Sequence, residues 1–318
     1  MTPGTPAALA PCRCSPSGEL GIALSGGGAK ALAQVGVLKV LEREGVPLSY
    51  VAGTSAGALI GAIQVTSRDA LETEERVLVH LQSKGVGFNS ETFRALAAED
   101  AGPIGGVLTT ARTLWRMSRA GRAVIDQESM RTALLATLGN ATFADARLPF
   151  ATTALDLITG RKLIFAGGPL VDAVYASAAI PGLFEPLTLD GAVLVDGGWA
   201  EPVPVDTCHH LGAIHIIAVD VPGSAPYDAA SHPIATALRA DALARNLLEE
   251  QQVRQADFVV RVQVPPRHFA DFSDPEGLIR AGESAAEACL AEIVSVLDRH
   301  RALFVRARPP VPTGHRFA

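Results

Sequence analysis

The chain has 318 residues, 48% of them apolar and 19% charged, with a formal net charge of −6. That length and composition leave room for one large α/β domain with a full core and exclude a disordered, charge-dominated chain. The acidic balance gives a nucleic-acid partner no electrostatic footing.

Residues 1–18 are rich in proline and small residues and read as a flexible tail, followed by one domain over 19–308 and a Pro-rich tail over 309–318. The start carries no basic segment and no apolar run before Cys12, and Pro11 directly before that cysteine argues against a lipoprotein cleavage site. No uninterrupted apolar stretch approaches the ~18 residues of a membrane span. The expected location is cytoplasmic, at most peripheral to the inner face of a membrane. Cys12, Cys14, Cys208 and Cys289 have neither the spacing of a disulfide framework nor a matching set of metal ligands. No EF-hand-like loop of oxygen ligands appears for calcium. No metal and no cofactor are expected.

In chain order, Gly21–Ser25 is a short buried strand ending in glycines, and Ala29–Glu44 is a helix stopped by Gly45 and Pro47. Tyr50–Gly53 is a second strand, and Ala56–Val65 a small-residue helix suited to lying close on a sheet. Residues 68–145 read as a mostly helical cap region broken at Pro103, Gly105 and Gly106. Strands are predicted at Phe150–Leu157, Lys162–Ala166, Ala192–Val195, Ile214–Val221 and Phe258–Val264, with helices at about 233–256 and 275–300. The alternation gives a three-layer α/β/α sandwich around a largely parallel sheet.

Two strand-to-helix turns carry chemistry. In Ser25-Gly26-Gly27-Gly28-Ala29-Lys30-Ala31, glycines turn the backbone sharply and leave N–H groups open to an anion. The pattern fits a dinucleotide pyrophosphate site, an oxyanion hole or a plain turn. A dinucleotide site needs an acid at the end of the next strand, but Thr54 and Ser55 follow Tyr50–Gly53, and Glu42 and Glu44 lie before it. Gly53-Thr54-Ser55-Ala56-Gly57 is a G-x-S-x-G pentapeptide between strand and helix, the context of a nucleophile elbow. Both turns lie at the carboxyl ends of their strands and so converge on one crevice.

A serine hydroxyl needs a base. The downstream histidines are His209, His210, His215, His232 and His268; His215 falls inside an apolar strand, and none is framed by a turn that would fix it in a site. Asp196 follows the strand Ala192–Val195 and precedes Gly197-Gly198, which puts a carboxylate at a strand end.

Taken together, Gly26–Lys30, Gly53–Gly57, Asp156-Leu157-Ile158-Thr159-Gly160, the Ala176–Gly182 run with Phe184, and Asp196-Gly197-Gly198 resemble the patatin-like phospholipase family. The likeness runs from about Gly21 to Val264 and on toward His300. The resemblance implies a serine hydrolase of lipid acyl esters. In it Ser55 attacks the acyl carbonyl, Asp196 takes the proton with no histidine, and the N–H groups of Gly26, Gly27, Gly28 and Ala56 bind the oxyanion. Lys30, Gly53, Gly57, Gly197 and Gly198 support those motifs. The chain departs from the family pattern at Ala31, where glycine is common, and at Glu201 and Pro202, where asparagines often precede Pro-Val. The second departure suggests that Asp196 is held differently here. A Ser-His-Asp triad and a non-catalytic lipid-binding protein on the same fold remain as alternatives.

A lipid substrate implies an interface. Arg112, Arg116, Arg119 and Arg122 fall on one helical face with Val107, Leu114 and Met117 roughly opposite, while Leu108 and Trp115 break the pattern. Either a solvated face or peripheral contact with anionic lipid fits it.

Overall fold

In the computed structural model, the structure describes residues 19–82, 123, 125–221, 233–265 and 267–307. The arginines at 112–122, His232, Cys12 and Cys14 lie outside the described residues.

The sheet has eight strands: β1 (Leu20–Leu24), β2 (Leu48–Gly53), β3 (Phe150–Asp156), β4 (Lys162–Phe165), β5 (Leu187–Leu189), β6 (Ala192–Asp196), β7 (His215–Asp220) and β8 (Phe258–Arg261). Their order is β5-β6-β3-β2-β1-β7-β8, with β4 also pairing β3. Strands β3, β2, β1, β7 and β8 are parallel, whereas β4 and β6 run antiparallel to β3, and β5 antiparallel to β6. The sheet is therefore parallel on one side and antiparallel on the other. The antiparallel part includes the strand that carries Asp196, and strand direction leaves no mark on a short buried apolar run.

The helices are α1 (Ala33–Arg43), α2 (Ala56–Thr66), α3 (Ala70–Gln82), α4 (Gln127–Leu138), α5 (Leu170–Ala178), α6 (Val205–Leu211), α7 (Pro233–Val253) and α8 (Pro275–Ala307). Alternate strand residues divide the core in two, as the period of a pleated strand requires. Leu20, Ile22 and Leu24 of β1, with Ile217 and Val219 of β7, share the larger core with α1–α5 and α8. Ala23, Ala52, Ile216 and Ala218 face the other way, against Val205 and Cys208 of α6 and Val253 of α7. Gly21, Ala23 and Ala52 are small where α6 lies close: a Cβ on Gly21 would sit 2.3 Å from Cys208 Sγ. Helices α1 and α8 also meet in backbone contact, since a Cβ on Gly282 would sit 1.7 Å from the Ala33 carbonyl oxygen. In α3 and α4, the described helices of the expected cap region, Val77, Leu81, Met130, Leu134 and Leu138 belong to the larger core.

Candidate active site

The expected helix over 29–44 divides into two parts. Gly28–Leu32 is a 3-10 turn and α1 starts at Ala33. Gly27 (φ 147°) and Gly28 (φ 57°) lie in the region that favours glycine. A Cβ on Gly28 would stand 2.3 Å from the Phe269 carbonyl oxygen, which accepts the Ala29 N–H at 2.7 Å. The Gly26 N–H donates to Pro202 O at 3.0 Å. Among the described residues, the N–H groups of Gly27, Gly28 and Ala56 have no acceptor.

Ser55 is the N-cap of α2, at φ 55° and ψ −123°. Few residues with a side chain adopt a positive φ, and at a strand-to-helix turn such strain marks an elbow that lifts the side chain above the sheet. Close approach of backbone holds it there. A Cβ on Gly57 would lie 2.3 Å from Leu24 O and 2.5 Å from Ser25 O, and one on Gly53 2.4 Å from Gly57 O. The Ser55 N–H donates to Ser177 Oγ at 3.0 Å, and Thr54 Oγ1 lies 2.8 Å from both Thr153 Oγ1 and Glu201 O.

The strand register sets Asp196 level with that elbow. Gly53 pairs with Thr152, and two residues further along β3 Ala154 pairs with Asp196. Ser55, two residues beyond Gly53, therefore reaches the same height as the carboxylate arriving from the opposite direction. Ser55 Oγ donates to Asp196 Oδ2 at 2.5 Å, and the Gly198 N–H donates to Asp196 Oδ1 at 2.7 Å. Asp196 is 2% exposed and Ser55 9%. Burial pushes the Asp196 carboxyl up to about 6, against smaller opposing effects of the hydrogen bonds from Ser55 and Gly198 and of the Arg245 charge.

Glu201 and Pro202, the departure seen in the sequence, brace this loop. The Glu201 side chain, 1% exposed, accepts from Thr207 N (3.0 Å), Thr207 Oγ1 (2.5 Å) and Lys162 Nζ (2.9 Å). Its carbonyl receives the Thr54 hydroxyl, and the next carbonyl, of Pro202, receives the Gly26 N–H. One loop thus ties Asp196, the elbow and the glycine turn together. Sequence reading missed Ser177 and Thr153; only the small-residue run around Ser177 hinted that backbone would come close there.

Two pockets meet at Ser55, Gly28, Ile180 and Phe269. One, partly open to solvent, is apolar and walled by Leu59, Met130, Leu134, Val174, Phe184 and Phe272. His80 also lines it, and burial pushes that imidazole down to about 4, so it is neutral at pH 7. The other pocket carries the charged side chains, with Asp196, Lys30, Arg245, Glu249, Arg267 and His268 in its lining. Among the described residues, His209, His210 and His215 line neither pocket. His209 Nδ1 is 3.0 Å from Ala213 O, and His215, expected in the core, is half-buried at the start of β7 beside Asp257. Among the described residues there is no cluster of ligands for a metal ion and no helix long and apolar enough to cross a membrane.

A patatin-like phospholipase family model matches residues 22–209. An uncharacterized NTE family protein of Mycobacterium bovis is 29% identical over 222 residues, which is 69% of this chain and 53% of the relative. The neuropathy target esterase sws of Drosophila melanogaster is 30% identical over 205 residues, 64% of this chain and 13% of its own length. Lysophospholipase nte1 of Aspergillus niger is 29% identical over 203 residues, covering 64% of this chain and 12% of the relative. The chain thus spans about half the length of the mycobacterial relative and a small part of the other two. Among solved structures, VipD from Legionella pneumophila superposes with a TM-score of 0.50 at 16% identity, over 87% of this chain and 67% of that one, a likeness of fold.

Proposed function

This chain belongs to the patatin-like phospholipase family, and from that premise we propose that it is a serine acyl-hydrolase of lipid esters working through a Ser55–Asp196 dyad. The observation that carries the proposal is the 2.5 Å contact from Ser55 Oγ to Asp196 Oδ2 at the mouth of an apolar pocket. Aspartate at its ordinary pKa is too weak a base for a serine hydroxyl. Burial that raises it to about 6 narrows that gap while leaving the carboxylate ionised at pH 7.

Ser55 Oγ attacks the acyl carbonyl carbon as its proton passes to Asp196 Oδ2. The negative charge that develops on the carbonyl oxygen is received by the N–H groups of Gly27, Gly28 and Ala56, aided by the positive end of α2. The Gly26 N–H already serves Pro202, so Gly26 acts by shaping the turn. Collapse of the tetrahedral intermediate breaks the ester bond, and Asp196 returns the proton to the leaving alcohol oxygen. Water then attacks the acyl-Ser55 ester, giving its proton to Asp196, and the fatty acid leaves with Ser55 reprotonated. The acyl chain lies in the apolar pocket.

Hydrolysis of p-nitrophenyl esters of increasing chain length by the wild type, Ser55→Ala, Asp196→Asn and His268→Ala tests this reading. The expected result is turnover by the wild type and His268→Ala, and a loss of about 10³-fold or more in the other two variants with the fold retained. Loss of turnover in a folded His268→Ala variant, with Asp196→Asn active, would instead indicate a histidine base.

A further inference from the structure

Helix α7 grips the loop that carries the base. Trp199 ends the 3-10 turn Gly197–Trp199, whose N-cap is Asp196. Its indole Nε1 donates to Asp241 Oδ1 at 3.0 Å. The other oxygen of that carboxylate, Oδ2, lies 3.1 Å from Nε of Arg245, one turn further along α7. The Arg245 guanidinium in turn lies over the Trp199 ring, 4.4 Å from the centroid. Two more turns along the helix, Gln252 accepts the Val203 N–H at 3.0 Å and donates to Ala200 O at 3.4 Å.

Arg245 and Asp241 are 37% and 39% exposed, and an exposed ion pair or ring contact adds little to stability. What the arrangement fixes is the position of a positive charge. Asp196 accepts from Ser55 Oγ and the Gly198 N–H, and it makes no ion pair among the described residues. A buried carboxylate of that kind responds to charges that do not touch it, because water screens them little. Lys30, Arg245, Glu249, Arg267 and His268 all line its pocket. Of these groups, Arg245 is the one whose charge opposes the burial that raises the Asp196 carboxyl. We propose that Arg245, seated by Asp241 and the Trp199 ring, is a positioning residue whose fixed charge stabilises the ionised form of Asp196 that Ser55 needs. The proposal rests on the Ser55–Asp196 dyad.

The test follows modification of Ser55 by an alkyl fluorophosphonate across pH in the wild type, Arg245→Met and Arg245→Lys. The expected result is a midpoint near 6 in the wild type and a higher one in Arg245→Met. The rate in Arg245→Met then falls about threefold or more near pH ~5 and stays within about twofold of the wild type near pH ~8. Arg245→Lys keeps the charge, so its midpoint lies closer to the wild type than to Arg245→Met. A folded Arg245→Met whose rate falls by the same factor at every pH, with the midpoint unmoved, overturns the proposal. So does a midpoint raised equally in Arg245→Lys, which would assign the effect to lost packing instead of lost charge.

A second measurement needs no reaction. Asp196→Asn removes the group on which Arg245 acts, and ionised Asp196 costs more without that charge. The gain in urea midpoint from Asp196→Asn, read near pH ~8, is therefore expected to be larger in Arg245→Met than in the wild type. Equal gains in the two backgrounds, with Ser55 still modified in the wild type, would defeat this role alone. A wild type that forms no Ser55 adduct would defeat the dyad and this role with it.

Discussion

Ser55 is held in place chiefly by backbone packed on backbone around its own pentapeptide, whereas Asp196 is delivered by strand pairing and a loop anchored by side chains. The elbow is a contact of backbone on backbone, in which Gly53 and Gly57 press against each other and against the end of β1. Asp196 sits on a strand that pairs antiparallel with β3, and the loop after it is anchored by Lys162, Thr207 and the carbonyls of Glu201 and Pro202. The first support has no slack, since backbone cannot move aside for a side chain. The second depends in part on side-chain hydrogen bonds and an ion pair, each of which can be weakened singly.

This contrast predicts a ranking. Gly57→Ala puts a methyl group 2.3 Å from the Leu24 carbonyl and should cost about 3 kcal/mol or more of stability, read from the urea midpoint. If it costs less than the changes below, the elbow is not the stiffer support.

Asp196→Asn acts in the opposite direction. The folded protein raises this carboxyl from 3.8 to about 6, so folding favours its protonated form, and the ionised aspartate costs stability as pH rises through that window. The asparagine variant should match the wild type below pH 3.8 and exceed it by roughly 3 kcal/mol well above pH 6, at 1.36 kcal/mol per unit. Parallel stability–pH curves for the two proteins would mean that Asp196 is not strongly desolvated.

Lys162→Met removes the cation from Glu201, which is 1% exposed, while Lys162 itself is 24% exposed. The pair lies between the buried and surface cases, and the expected loss is about 1–3 kcal/mol, much of it recovered when Glu201→Gln is added. Activity should fall further than stability alone explains, because the same loop carries Asp196 and receives Thr54. A loss of stability with unchanged kcat would separate the brace from the dyad.

The same contrast sets what the sequence made legible. The glycine turn and the pentapeptide are local, and Gly28, Gly53 and Gly57 signal close backbone approach by their identity and spacing alone. The alternation of strands and helices gave the sandwich, yet the antiparallel direction of β6 and the three-residue β5 left no trace, because strand pairing is settled by distant partners. Helix α5 was not anticipated, and Ser177 on it supplies the acceptor for the Ser55 N–H. Glu201 stood out only as a departure from a family pattern; its role as a buried brace depends on Lys162, 39 residues earlier. The Arg267 loop carried no motif, and its place beside the glycine turn follows from tertiary packing alone.

In the proposed chemistry a buried carboxylate, without histidine, activates Ser55. The most direct test is the rate at which an alkyl fluorophosphonate modifies Ser55, followed by mass spectrometry across pH in the wild type, Asp196→Asn and His268→Ala. The account predicts an adduct on Ser55 whose rate of formation rises through an apparent pKa near 6 in the wild type and in His268→Ala, and is about 10³-fold slower in Asp196→Asn. Modification that persists in Asp196→Asn and is lost in His268→Ala would contradict it.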